Sequence, residues 1–253
     1  TALQDFCGGI GTAVARTVRA SGGRFEILLD YGTIMIQIDE TISVAVPDAA
    51  LGVLTCSAVV AESSADLRAD FDDTVKAMQD DYTLEKVAQN PHVAATRKAY
   101  KALGKDPLKY RNSAEAMLRR IAKGNGLYRI NNAVDINNMV SVASGYSLGS
   151  YDCAAIKGQI VWKRAPDGEK YKGIGKDVLN IEHLPALYDD EGVFGNPTSD
   201  SRRTMIETGG RKNLLYVIYA FDGADEVRIW LDNLAELLKK YANAEDVQTQ
   251  IVD

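Results

Sequence analysis

The sequence has few of the residues from which metal centres, disulfides and histidine-based catalytic sites are built. Its 253 residues include only two histidines, His92 and His183, and three widely spaced cysteines, Cys7, Cys56 and Cys153. An odd number of cysteines without a Cys-x-x-Cys pair fits neither a disulfide framework nor a zinc site, and is typical of a reducing cytoplasm. We therefore expect no metal site, no cofactor and no histidine-dependent triad.

Long apolar runs are also missing. The longest, residues 49–61, is interrupted by Gly52, Thr55 and Ser57, whereas a membrane helix needs about 18 apolar residues in succession. No segment combines the basic start, apolar middle and small-residue cleavage site of a signal peptide. These absences predict a cytoplasmic protein without a membrane partner.

Neither sign of charge dominates the chain. The 29 lysines and arginines and the 35 aspartates and glutamates give a net charge of −6. This value excludes a protein that coats nucleic acid or anionic membranes through bulk charge. Hydrophobic residues make up 46% of the chain, an ordinary globular mixture that can bury a substantial core.

The charges are nevertheless segregated along the chain. Residues 62–85 contain eight acidic and two basic residues, and residues 97–123 contain nine basic and two acidic ones. Such runs can be solvated helix faces, but two consecutive helices of one sign can also face a polyanion such as RNA, and both interpretations stay open. The predicted RNA-binding residues are Arg97, Lys101, Arg111, Arg119, Arg120, Lys123 and, from a later basic group, Arg211.

Apolar spacing and capping residues predict helices in the first half of the chain and mostly strands in the second. The predicted helices begin at Ser63 or Ser64, Asn90 and Asn112, and a last helix carries Val227, Trp230, Leu231, Leu234, Leu238 and Tyr241 on one apolar stripe. The predicted strands cover residues 50–60, 156–163, 204–206 and 213–221. The predicted fold class is a single mixed α/β domain of the α+β type.

The glycine-rich start of the chain allows a different interpretation. Residues 8–11, Gly-Gly-Ile-Gly, precede a predicted helix, as in dinucleotide-binding folds, although little chain precedes them to form the required first strand. A nucleotide-dependent oxidoreductase is therefore a remote alternative. We divide the chain into an N-terminal extension of unclear role (1–34), one domain (35–241) and a C-terminal tail (242–253).

Residues 129–140 have the least ordinary composition. If the chain is helical beyond Asn132, then Asn131, Asp135 and Asn138 share one face. Asparagine and aspartate are poor choices inside a helix because their side chains compete for backbone hydrogen bonds. Such a cluster either binds a polar ligand or pins neighbouring loops, and both alternatives stay open.

Several ordered blocks of the chain resemble one known family. Residues 131–140 resemble the Ile-Asn-x-x-Val-Asp-x-x-Asn-x-Val motif in the B3/B4 domain of bacterial phenylalanyl-tRNA synthetase beta subunits. Residues 148–152 are similar to its Leu-His-Ala-Phe-Asp block, residues 164–169 to its Arg-x-Ala-x-x-Gly-Glu turn, and residues 189–192 to its Asp-x-x-Gly hairpin. Residues 110–120 are similar to stand-alone B3/B4 proteins, which lack the rest of the synthetase. The resemblance covers roughly residues 35–238.

The resemblance implies an α/β fold around a β-sandwich-like sheet core. In the synthetase this module hydrolyses wrongly attached tyrosine from tRNA, which requires a positioned water, oxyanion donors and a pocket for the aminoacyl end. By position, the implied substrate-binding residues are Asn131, Asn132, Asp135, Asn138, Gly149, Tyr151, Asp152, Asp200, Arg202, Arg203 and Thr204. Asp200 or Glu207 would correspond to a family carboxylate that reads a hydroxyl group.

One difference from the family affects the expected activity. Gly149 stands in the position of the histidine in Leu-His-Ala-Phe-Asp, so no catalytic residue is assigned. The implied partners are tRNA or its aminoacylated 3′ end and a small aminoacyl-type ligand. Two functions stay open beside the remote one: a free-standing hydrolase of mischarged aminoacyl-tRNA, and a module that binds RNA or an aminoacyl-adenosine-like ligand without cleaving it. A complete tRNA ligase is not expected, because no synthetase active-site motif is present.

Overall fold

The computed structural model describes residues 25–29, 32–175 and 178–253, and side chains from residue 35 onward. The glycine-rich turn at residues 8–11 lies outside these ranges. The structure therefore does not test the part of the dinucleotide-binding alternative that depends on this turn. The strand at Phe25–Leu29 pairs antiparallel with the strand at Gly32–Ile38, whereas a dinucleotide fold joins parallel strands through a helix.

Seven α-helices and eleven strands are present in the described part of the chain. The helices are α1 (Glu40–Ser43), α2 (Ala65–Asp81), α3 (Leu84–Gln89), α4 (Pro91–Leu103), α5 (Ser113–Ala122), α6 (Asn132–Ser144) and α7 (Val227–Ala242). The strands are β1 (Phe25–Leu29), β2 (Gly32–Ile38), β3 (Ala50–Val60), β4 (Ser147–Asp152), β5 (Ile160–Arg164), β6 (Lys170–Tyr171), β7 (Leu179–Asn180), β8 (Pro185–Asp189), β9 (Gly192–Gly195), β10 (Gly210–Ala220) and β11 (Glu245–Val252). The predicted mixed α/β class is confirmed.

Two sheets pack against each other around a shared apolar layer. One sheet has the antiparallel order β11-β3-β10-β4, and the other has the order β1-β2-β5-β8-β9, in which β2 and β5 are parallel. Val53 and Val217 of the first sheet share a buried cluster with Trp162, Leu187 and Phe194 of the second. The opposite face of the first sheet is covered by α2, α6 and α7. The sandwich-like sheet core that the family resemblance implies is therefore present.

Side-chain caps determine where the helices of the first half begin. Ser64 accepts a hydrogen bond from the backbone amide of Leu67, and Asn90 accepts from the amides of His92 and Val93. Each cap satisfies backbone donors that the first helical turn leaves unpaired. The predicted starts of these helices are confirmed.

Two predictions about the second half of the chain were wrong. Residues 204–206, predicted as a strand, include the end of a 3₁₀ turn at Arg202–Thr204, because the Ser201 hydroxyl caps the Arg203 amide. Residues 242–253, predicted as a tail, contain β11, which pairs with the edge of β3. Asn243 ends α7 in the left-handed conformation and allows the chain to return along the sheet.

Candidate functional site

Strand β4 carries two of the predicted site residues on one face. Side chains alternate along a strand, so Gly149 and Tyr151 share the side that faces the second sheet. The buried Tyr151 ring meets the Phe194 ring edge-on, with 5.0 Å between centroids. A Cβ atom on Gly149 would lie 2.0 Å from the Tyr151 Oη, and one on Gly195 would lie 2.2 Å from it. The phenol therefore occupies the space that a side chain at residue 149, such as the family's histidine, would need.

Asp200 lies at the hydroxyl end of this phenol. The Tyr151 hydroxyl donates to Asp200 Oδ1 at 2.8 Å and lies 2.7 Å from the Tyr219 hydroxyl. Burial raises the pKa of Asp200 to about 7, although hydrogen bonds from Tyr151 and from the backbone amides of Asn196 and Ser150 favour its ionised form. No lysine, arginine or histidine of the described residues forms an ion pair with it. Asp200 can therefore exchange a proton near neutral pH, as a general acid or base must.

Tyrosine hydroxyls also hold the loop that carries Asp200. The Tyr100 hydroxyl lies 2.9 Å from Thr198 Oγ1, and the Tyr171 hydroxyl accepts from Asn196 Nδ2 at 2.7 Å and donates to the Ser199 carbonyl. These contacts fix residues 196–200 against α4 and the β6–β7 hairpin. The position of Asp200 is therefore set by several separate elements, as a preorganised site requires.

The residues that follow Asp200 have different surroundings. Arg203 donates to Asp189 at 2.7 Å and to the carbonyls of Ala155 and Gly192, so its guanidinium ties the 3₁₀ turn to the β8–β9 hairpin. Thr204 is fully buried, and its hydroxyl has no hydrogen-bond partner among the described residues. Arg202 is exposed. Among these three predicted ligand-binding residues only Arg202 is exposed, and its Nε donates to the Gly173 carbonyl at 3.0 Å.

The asparagine-rich start of α6 pins neighbouring segments. The Asn132 amide accepts from the Ala61 backbone and donates to the carbonyls of Val59 and Tyr241. Asp135 accepts from the Ser63 hydroxyl at 2.6 Å and from the Ile130 amide at 2.8 Å. The remaining predicted members are Asn131, which caps α6 and donates to the Ile206 carbonyl, and the half-buried Asn138. The side-chain polar atoms of Asn131, Asn132 and Asp135 are thus engaged within the fold. Ligand binding by these residues and Asn138 stays a prediction.

Asp152 lies beside an open groove at the end of β4. Its carboxylate caps a 3₁₀ turn at Ala154 and forms an ion pair with Lys212 at 2.7 Å. The groove has a volume of about 460 Å³ and is lined by Asp152, Ala154, Arg211, Lys212 and Asn213. Arg211 forms an ion pair with Glu245 of β11 at 3.2 Å. The groove thus combines two predicted residues, but its charges are largely paired.

The predicted RNA-binding cations within residues 97–123 fall into two groups. Arg97, Arg111 and Arg119 converge on the fully buried Glu115. Burial alone would raise the pKa of Glu115, but hydrogen bonds from Arg97 and Arg119 outweigh it and lower that pKa. The others, Lys101 and Lys123, are exposed and have no ion pair among the described residues, and Arg120 lies over the Tyr128 ring, 4.3 Å from its centroid. Tyr128 is itself 70% exposed.

Sequence reasoning missed Tyr219, Tyr100 and Tyr171 as neighbours of Asp200. Tyrosines in strands and on apolar helix faces have the pattern of core residues, so no sequence signal distinguishes these three. Within the described ranges no group of three or more His, Cys, Asp or Glu side chains is placed to hold a metal ion. None of the helices in those ranges has the length and apolar character that crossing a bilayer demands.

Comparison with known proteins places the chain in a family. A solved N-terminal fragment of the phenylalanyl-tRNA synthetase beta-subunit from Pyrococcus horikoshii is similar, with 14% identity, a TM-score of 0.45, and coverage of 87% of this chain and 54% of that one. The chain thus spans about half the length of that fragment. No curated protein matches the chain. A family model described as the B3/4 domain matches residues 95–243. This match covers more than half of the chain and confirms the resemblance seen in the sequence: the chain belongs to the B3/4 domain family.

Proposed function

We propose that this chain binds RNA, specifically tRNA or its aminoacylated 3′ end, through the basic surface of α4 and α5. The observation that carries the proposal is the excess of cations over carboxylates on these helices. Lys98, Lys101 and Lys123 are exposed and form no ion pair within the described residues. Unpaired cations can neutralise phosphates and release their counterions, which is the main source of affinity for nucleic acid.

Two further features support RNA as the polyanion. Tyr128 exposes most of its ring beside the Arg120 guanidinium, and exposed aromatic and arginine side chains are the usual partners of unpaired bases. Membership in the B3/4 family also favours a tRNA-related ligand. In this proposal the aminoacyl group at the 3′ end is bound near Asp200, whose carboxyl group can accept a hydrogen bond from it.

Fluorescence anisotropy with labelled tRNA tests this proposal. A variant with Lys98→Glu, Lys101→Glu and Lys123→Glu should bind at least about tenfold more weakly, and the slope of log Kd against log salt should fall by about three units. A variant with Lys170→Glu, Arg228→Glu and Lys239→Glu is the matched control, because it reverses three exposed cations outside α4 and α5. Equal slopes for the two variants, or no tRNA binding by the wild-type protein, would overturn the proposal.

Hydrolysis of mischarged aminoacyl-tRNA is a second candidate, and Asp200 favours it. A carboxylate whose pKa is raised to about 7 can take a proton from a water that attacks the ester carbonyl, and can return that proton to the ribose oxygen as the acyl C–O bond breaks. The rate of aminoacyl release should then rise with pH up to about pH 7 and should be lost in Asp200→Asn. Release no faster than in buffer, across a panel of mischarged tRNAs, would exclude this candidate and leave the binding proposal intact.

A further inference from the structure

Three arginines of the basic surface meet at a single buried carboxylate. Glu115 lies in the first turn of α5 and is fully buried. Its Oε1 is 2.6 Å from Arg97 Nη2 and 2.7 Å from Arg119 Nε, and its Oε2 accepts from Arg97 Nε at 2.8 Å. Arg111 Nε is 3.6 Å from Oε1. We call Arg97, Arg111 and Arg119 the arginine cluster.

The arginine cluster contains more cations than its anchor can neutralise. Three guanidinium groups share one carboxylate, so the group has a net charge of +2, and no other acidic side chain of the described residues pairs with them. A purely structural role would need only one arginine opposite Glu115. Gathering two more like charges is unfavourable unless a further anion neutralises them.

The side chains of the arginine cluster are only partly covered: Arg97 is 20%, Arg111 50% and Arg119 26% exposed. Arg97 donates to Glu115 through its Nε and Nη2, and Arg119 donates through its Nε. Neither residue has a buried nitrogen without a partner, in contrast to Arg120 and Arg129. Arg111 is itself half exposed. Each guanidinium therefore contacts Glu115 and retains N–H donors that Glu115 does not use.

We infer that the arginine cluster is a preformed binding site for a phosphate group, with Glu115 as its anchor. Guanidinium groups bind phosphate oxygens through paired N–H donors, and fixing them in advance lowers the entropic cost of binding. One terminal phosphate monoester, which is close to a dianion at pH 7.5, or two backbone phosphodiesters with one charge each would neutralise the excess charge of +2. The phosphate belongs to an RNA backbone or terminus, and in this respect the inference rests on the proposed function.

Phosphate itself is the first probe of the site. At constant ionic strength and pH 7.5, replacing chloride with 20 mM inorganic phosphate should raise the thermal midpoint of the wild-type protein by about 2 °C. Arg111→Gln and Arg119→Gln should each lose most of this shift, and Arg228→Gln on α7 should retain it. Arg111→Gln is the more decisive variant because its half-exposed side chain contributes least to folding. Circular dichroism verifies that each variant is folded.

RNA is the second probe and distinguishes the source of the phosphate. With a tRNA acceptor-stem minihelix, each of the two variants should lower the salt slope of log Kd by about 0.9, which is the loss of one phosphate contact. Phosphate stabilisation that depends on the arginines, without any RNA binding, would support the site as one for a free phosphate ester and refute the proposed function. RNA binding that both variants leave unchanged, together with equal midpoints in phosphate and chloride, would overturn this inference while the proposed function stands.

Discussion

Glu115 is fully buried and Asp200 is partly buried, and the surroundings of the two carboxylates shift their pKa values in opposite directions. Glu115 is surrounded by Arg97, Arg111 and Arg119, and its pKa is lowered. Asp200 has a tyrosine hydroxyl and backbone amides for neighbours and no ion pair within the described residues, and burial raises its pKa to about 7. The sign of each shift depends on whether a cation compensates for lost hydration.

This contrast separates two kinds of chemistry within one domain. A permanently ionised Glu115 can hold cations in place but cannot exchange protons near neutral pH. Asp200 can change its protonation state in the physiological range, and Tyr151, whose pKa burial raises well above its usual value, keeps its proton to donate. Anion binding is therefore expected at the Glu115 region, and proton exchange at the Asp200 region.

The largest expected effect comes from crowding the Asp200 region. Gly149→Ala places a Cβ atom 2.0 Å from the Tyr151 Oη, so the phenol must leave Asp200 or the strand must move. We expect a loss of about 3 kcal/mol in the free energy of unfolding, measured by urea denaturation. Gly173→Ala is the matched control because its Cβ would meet nothing closer than 3.5 Å. Equal stability of the two variants would mean that Tyr151 does not hold this position.

Removing the negative charge of Glu115 should have the next largest effect on the free energy of unfolding. Glu115→Gln leaves three guanidinium groups without their counter-charge, so we expect about 2.5 kcal/mol less stability at pH 7. The pKa of Glu115 is lowered below 4.5 in the folded protein, so its contribution is present above pH 4.5 and is lost as the pH falls through the folded pKa. The difference between wild type and variant should therefore shrink on acidification. Glu236→Gln, 73% exposed on α7, should show no such difference.

Much of the framework could be predicted from the sequence because local chemistry determines it. Ser64, Asn90 and Asn112 cap helices wherever the tertiary structure places them, and their positions predicted the starts of α2, α4 and α5. The asparagine-rich segment was recognised as special, with ligand binding and loop pinning both left open. Its contacts to Val59, Ile206 and Tyr241 lie far away in sequence and could not be derived from the segment alone.

The two carboxylate regions could be predicted only in part. Asn112 was predicted to begin α5, and its side chain accepts a hydrogen bond from the backbone amide of Glu115. The Glu115 side chain binds arginines, which could not be predicted because Arg97 on the preceding helix comes within its reach only when α4 and α5 are folded. Tyr151 and Asp200 were both proposed as site residues from the family resemblance. The hydrogen bond from the Tyr151 hydroxyl to Asp200 depends on the position of the loop at residues 196–200, and no local sequence pattern specifies that position.

The pH dependence of the free energy of unfolding tests whether the pKa of Asp200 is raised, in contrast to that of Glu115. Its pKa is about 7 in the folded protein against an ordinary value of 3.8. Between these values the folded state keeps a proton that the unfolded state loses, so stability should fall as the pH rises from 4 to 7 and level off above. After a discount for partial exposure, we expect wild type to lose about 1.5 kcal/mol between pH 5 and pH 8 through this group. Asp200→Asn should remove that slope, whatever its absolute stability, and Asp73→Asn on exposed α2 surface should retain it. Identical slopes in all three proteins would show that Asp200 titrates as an ordinary carboxylate and that a missing cation does not distinguish it from Glu115.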